Sequence, residues 1–179
     1  MAALKADLRG SPASAVVVPF SCSERATWQD GARRMTDTAW EPLRDLPRGI
    51  SGLERAARAL RQASSRHTSV YLYGLEGDTL VLRAFSGRPT EHTRIRVGEG
   101  VCGRAVASGG SQVVADVAGD PDYISCSLET RSECVVLVHR DGRVVGQIDI
   151  DSHTPNAFGP AEEEAVRKAA KELGELWHA

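Results

Sequence analysis

The chain has 179 residues, a formal charge of −2 and a pI near 6.2. That length supports one hydrophobic core, and an apolar fraction of 41% with 26% charged residues is that of a globular domain. Neither a basic nucleic-acid footprint nor a run of the roughly 20 apolar residues that span a bilayer is present. Four cysteines are too few for a stapled secreted scaffold.

Residues 1–48 show no sustained period and read as a poorly ordered or irregular leader. Trp28 and Trp40 stand isolated in it, and only Ala15–Phe20 has the look of a strand. Residues 49–179 carry the order. Ile50, Leu53, Ala57 and Leu60 recur at helical spacing and predict an amphipathic helix over Gly49–Gln62. Ser69–Tyr73 and Thr79–Phe85 are β-prone runs around a Glu76-Gly-Asp turn, followed by a short strand at Arg94–Val97. Val101–Ala107 predicts a short helix ended by Gly109-Gly110, and Gln112–Ala115 another strand. The connection Asp116–Ser132 is longer than most loops, a length that accompanies function or mobility. Cys134–His139 and Arg143–Ile150 flank an Asp141-Gly142 hairpin signal. Pro160–Leu176 predicts a last helix, with proline in its first turn and Ala165, Val166, Ala169, Leu173 and Leu176 on its buried face. Strands joined largely by hairpins predict an α+β fold, a central antiparallel sheet with helices packed mainly on one face.

The candidate chemistry lies in thiols and carboxylates. Cys102, in Gly98-Glu-Gly-Val-Cys-Gly103, falls at a helix start, where backbone N–H groups favour thiolate character; it reads equally as a small buried hydrophobe in a tight turn. Cys126, between two serines in the long polar loop, has no apolar period to explain it and is a candidate nucleophile or an incidental loop residue. Cys134 shares a strand face with Val136 and Val138 and reads as core, and Cys22 takes no role. Without CxxC or histidine-rich spacing, no zinc site is expected. Asp149 and Asp151 share one strand face, with Ile148 and Ile150 on the other. Two dry carboxylates there would repel, so the face is either wet or holds a cationic group. If the Asp-Gly hairpin pairs their strand with the one before it, Glu133 joins them around one pocket.

On these residues the chain resembles the free methionine-(R)-sulfoxide reductases, which are GAF-fold enzymes. The similar stretch runs from about Ser69 to Leu176 and is carried by Tyr71–Leu75, Thr79–Leu82, Ile95-Arg-Val-Gly-Glu-Gly-Val-Cys-Gly103, Ile124-Ser-Cys126, Ser132-Glu133 and Gln147-Ile-Asp-Ile-Asp-Ser152. The resemblance implies a GAF-like domain over 49–179. It implies Cys126 as the nucleophile that becomes a sulfenic acid, a disulfide partner for it, and thioredoxin as reductant. It implies Glu133, Asp149 and Asp151 as the acids that bind the substrate amine and protonate the sulfoxide oxygen, and Tyr71 as a pocket aromatic. The family's further cysteine is replaced by His92 and its pocket tryptophan by His67. The resolving role therefore falls to Cys102 or to an external thiol. The free-thiol reading points to the cytoplasm; no metal, cofactor, nucleic acid or membrane contact is expected, and analogy with the fold allows a homodimer. The alternative is a non-catalytic GAF module that binds a small ligand or senses redox state.

Overall fold

The computed structural model describes Leu43 and residues 45–121, 123, 124 and 127–177. The leader expected over 1–48 therefore lies almost wholly outside the described residues, as does Cys126. Nine helices and strands follow in the described part: α1 Ile50–Ala63, β1 Ser69–Glu76, β2 Thr79–Ser86, β3 Arg94–Arg96, α2 Gly100–Ser108, β4 Gln112–Val114, β5 Ser132–Arg140, β6 Arg143–Ser152 and α3 Pro160–Leu176. The six strands form one sheet in the order β3-β2-β1-β6-β5-β4, antiparallel at every pairing. Hairpin connections produce this pattern, as the sequence predicts.

Because strand side chains alternate, the sheet has two faces and each builds its own core. One presents Val70, Leu72, Cys134, Val136, Val138, Ile148 and Ile150 to α1 and α3. α1 buries Leu53, Ala56, Ala57 and Leu60, the i, i+3, i+4, i+7 stripe of an amphipathic helix. Ile50, expected on that stripe, is 61% exposed, so the buried row begins one turn later. α3 buries Ala165, Val166, Ala169, Leu173 and Leu176 as predicted, each large side chain contributing about 1.5–3 kcal/mol. The other face carries Tyr71, Tyr73, Val135 and Leu137 and is covered by α2, through Val101, Cys102 and Ala105. Helices thus lie mainly on one face, and the thinner cover of α2 and its neighbouring loop is where the polar site sits.

The β5–β6 hairpin sets the site's register. Asp141 and Gly142, with φ of 51° and 74°, form the two-residue turn, and Arg140 pairs with Arg143. Continued without interruption, that register would bring Glu133 opposite Ile150. Instead Val138 pairs with Gly146 while His139 pairs with Val144, leaving Val145 as an additional residue in β6. This bulge shifts the remaining pairs by one and sets Glu133 opposite Asp151. A one-residue difference in register decides which face a side chain joins, so the acid cluster depends on it.

Candidate active site

Glu133 pairs with Asp151, and Val135 and Tyr71 flank Asp149 from the two neighbouring strands. Three carboxylates therefore share the α2 face. All are buried: Asp149 at 0%, Asp151 at 1% and Glu133 at 4% exposure. The face is dry, which removes the wet alternative open at the level of sequence. The Thr130 hydroxyl donates to Asp151 Oδ2 at 3.1 Å. Asp149 Oδ1 and Asp151 Oδ1 have no hydrogen-bond partner among the described residues. An unpartnered buried carboxylate oxygen costs on the order of 1–3 kcal/mol or more.

Cys102 completes the cluster from above. Its thiol donates to Asp149 Oδ2 at 3.3 Å, and its Sγ lies 3.9 Å from Glu133 Oε1. The glycines around it set this closeness. A Cβ on Gly103 would come within 2.3 Å of the Arg96 carbonyl oxygen, so only glycine lets α2 rest against the end of β3. Gly100 has φ of 59°, and a Cβ there would press on Ile124, which lies over the helix start. Cys102 follows the second reading: it is buried with Val101 and Ala105, and its sulfur lies against the Asp149 and Glu133 carboxyls.

Electrostatics follow from burial. Asp149 is pushed up to about 7, chiefly by loss of water, while hydrogen bonds with Cys102 and Glu133 pull it down. Glu133 is held well above the carboxylate range by burial and then by the charges of Asp149 and Asp151. Asp151 is raised likewise by burial and Asp149, opposed by the Thr130 hydroxyl. Burial and the same acids raise the Tyr123 phenol. The trio therefore keeps its protons to higher pH than exposed carboxyls do, and a carboxylic acid that keeps its proton can donate it.

Tyr71 is fully buried beside Asp149, stacks with Phe85 at 6.4 Å and donates to the Arg88 carbonyl at 3.0 Å. The His92 carbonyl accepts from the Tyr73 hydroxyl at 2.8 Å. His67 does not line the acid cluster: its Nδ1 lies 2.7 Å from the Leu60 carbonyl and its Nε2 2.7 Å from Glu162, so it ties α1 to α3. Asp116 caps the turn Val117–Gly119 through the Ala118 N–H and pairs with Arg131. Sequence reasoning assigned no role to Thr130, Tyr123 or Arg104. Thr130 and Tyr123 sit in the long loop, where no periodicity marks them. Arg104 pairs with Asp120 and its charge bears on Glu133. Gln147, buried with both amide atoms unpartnered among the described residues, could have been found, since alternation places it on the face of Asp149. A gap of about 10 Å³ remains beside Cys102, lined by Ile95, Glu99, Val101, Ile124 and Glu133.

The GAF domain family matches residues 51–175. Protein YtsP of Bacillus subtilis (strain 168) is 39% identical over 98 residues, covering 55% of this chain and 60% of its own length. The free methionine-R-sulfoxide reductase of Escherichia coli (strain K12) is 38% identical over 101 residues, with 56% and 61% covered. The chain thus spans about three fifths of the length of these curated relatives. The X-ray structure of free methionine-R-sulfoxide reductase from Neisseria meningitidis in complex with its substrate superposes with a TM-score of 0.70 at 36% identity, over 76% of this chain and 82% of that one. The chain belongs to the GAF-domain family and, within it, to the group that contains the free methionine-R-sulfoxide reductases.

Proposed function

We propose that the protein reduces free L-methionine-(R)-sulfoxide to methionine, with Cys126 as nucleophile. The observation that carries this reading is the buried trio Glu133, Asp149 and Asp151, to which no cation is hydrogen-bonded among the described residues. Such a site suits the ammonium group of a free amino acid, which would satisfy Asp149 Oδ1 and Asp151 Oδ1 together. Tyr71 would bound the methyl-sulfur end.

In this reading the Cys126 sulfur attacks the sulfoxide sulfur while Glu133, kept protonated by burial and its charged neighbours, gives its proton to the sulfoxide oxygen. The substrate sulfur gains two electrons and leaves as the thioether of methionine. Cys126 is oxidised to a sulfenic acid that carries the oxygen. The Cys102 thiol then condenses with it, forming a disulfide and water, and thioredoxin returns both to thiols with its own two electrons. A cytoplasmic setting supplies that reductant. No helix among the described residues is long and apolar enough to cross a membrane. The 10 Å³ gap holds no amino acid, so entry requires Ile124, which lines it, to shift.

A stoichiometric experiment tests this. Reduced Cys102→Ser protein, given the substrate without reductant, is expected to release one methionine per chain and to leave a trappable sulfenic acid on Cys126. Binding without any methionine released would instead favour a non-catalytic GAF module.

A further inference from the structure

Resting on the reading of the acid cluster as a cation pocket, we propose that Cys102, Glu133 and Asp149 also form an inhibitory site for a thiophilic divalent metal ion, of which zinc is the best fit. One ligand atom from each lies within 4.8 Å of the other two, and all three residues are buried. Tetrahedral zinc with sulfur at about 2.3 Å and oxygen at about 2.0 Å spaces those ligands roughly 3.5 Å apart. The Cys102 sulfur lies 3.3 Å from Asp149 Oδ2 and 3.9 Å from Glu133 Oε1, so the edges are close to that spacing before any ion enters.

Two further observations point to a small cationic occupant. Asp149 Oδ1, in a residue with no exposure, has no partner among the described residues, which leaves carboxylate capacity unused beside the thiol. The gap against Cys102 and Glu133, about 10 Å³, has room for one water or one ion. A thiolate with two carboxylates selects a borderline-soft ion over magnesium or calcium, and three protein ligands leave the fourth position to water. The spacing along the chain hid this set, because its donors come from α2, β5 and β6 rather than from one CxxC segment.

Binding displaces the thiol proton and any protons on the two carboxyls, with no change of oxidation state. The ion would occupy the ground proposed for the substrate ammonium and hold the sulfur needed for the disulfide. Zinc is therefore an inhibitor competitive with substrate that chelators reverse, and oxidation of Cys102 releases it.

Cobalt(II) is the spectroscopic probe, added to the reduced full chain under anaerobic conditions with zinc as competitor. One equivalent is expected to give an intense thiolate-to-cobalt charge-transfer band, abolished by zinc and absent in Cys102→Ser. Asp149→Asn is expected to weaken binding ~100-fold. Cys126→Ser is expected to keep the band. Zinc should also raise the melting temperature of the wild type by several degrees, a reading that needs no variant. No band in the reduced wild type, or a band that survives Cys102→Ser or is lost in Cys126→Ser, overturns the proposal. None of these readings depends on turnover, so a failed metal site leaves the reductase reading intact and the converse also holds.

Discussion

Asp149 is surrounded by unequal partners: the Cys102 thiol on one oxygen, no hydrogen-bond partner on the other among the described residues, and the two further acids Glu133 and Asp151 close by. In the proposed reading a cation binds there, because the incoming charge relieves both the repulsion and the unmet hydrogen bond. Asp149→Asn preserves shape and removes charge. It is expected to raise KM for free methionine-(R)-sulfoxide by one to two orders of magnitude, as loss of a charge-assisted contact does. Glu133→Gln leaves both aspartates of the proposed ammonium seat but removes the proposed proton donor. It is expected to lower kcat by about 10²–10⁴-fold with a smaller change in KM. Steady-state kinetics separate the two, and a KM effect in both would remove Glu133 from the chemistry.

The elements that present these residues are held by close backbone approaches. α2 can bring Cys102 over the sheet only because Gly103 admits the Arg96 carbonyl. Gly103→Ala is therefore expected to lower stability by about 1–3 kcal/mol, the usual cost of overpacking, and to depress turnover beyond that loss because Cys102 moves with the helix. Chemical denaturation and activity measured on the same samples check this; an unchanged stability would contradict it. On the opposite face, His67→Ala removes the link between α1 and α3 and leaves Glu162 without that partner. It is expected to destabilise by about 1–3 kcal/mol while leaving KM unchanged, since the imidazole lies away from the acids.

Legibility differed by element for physical reasons. α3 is readable end to end because Pro160 marks its first turn and its apolar stripe is unbroken. β1 runs three residues past its predicted end, since Gly74 weakens the local signal while its backbone still pairs with Gly146 and Val81. The meeting of Glu133 with Asp151 was suggested by the hairpin, yet the hairpin count alone would have put Ile150 there. The bulge that corrects it leaves no mark in the Val144-Val145 sequence. Burial of the aspartates was likewise not legible, because it depends on what α2 and the long loop cover.

At the scale of the whole molecule, three buried acids make stability depend on pH in an unusual direction. Carboxyls raised in the folded state bind more protons folded than unfolded, so their contribution is whole at low pH and is lost as pH rises. For Asp149 the loss runs from about 4 to about 7, and Glu133 and Asp151, raised in the same direction, add to it. Glu162, which burial raises but the bond to His67 and nearby positive charge bring below its ordinary value, acts oppositely and only on the acid side. The melting temperature of the metal-free protein is thus expected to be several degrees higher near pH 5.5 than near pH 8. Asp149→Asn should flatten that difference, as should saturating substrate, whose ammonium compensates the charges. A melting temperature that rises with pH over this interval would contradict burial of the trio.

Thiol chemistry on a free amino acid is the activity proposed for this fold. Its most direct test is turnover of free L-methionine-(R)-sulfoxide by the reduced, chelator-treated protein with thioredoxin, beside the (S) epimer and a peptide-bound sulfoxide. Turnover of the free (R) epimer alone is expected, reduced roughly 10³-fold or more by Cys126→Ser. A folded, fully reduced wild type that forms no methionine, or a Cys126→Ser variant as active as wild type, would contradict it.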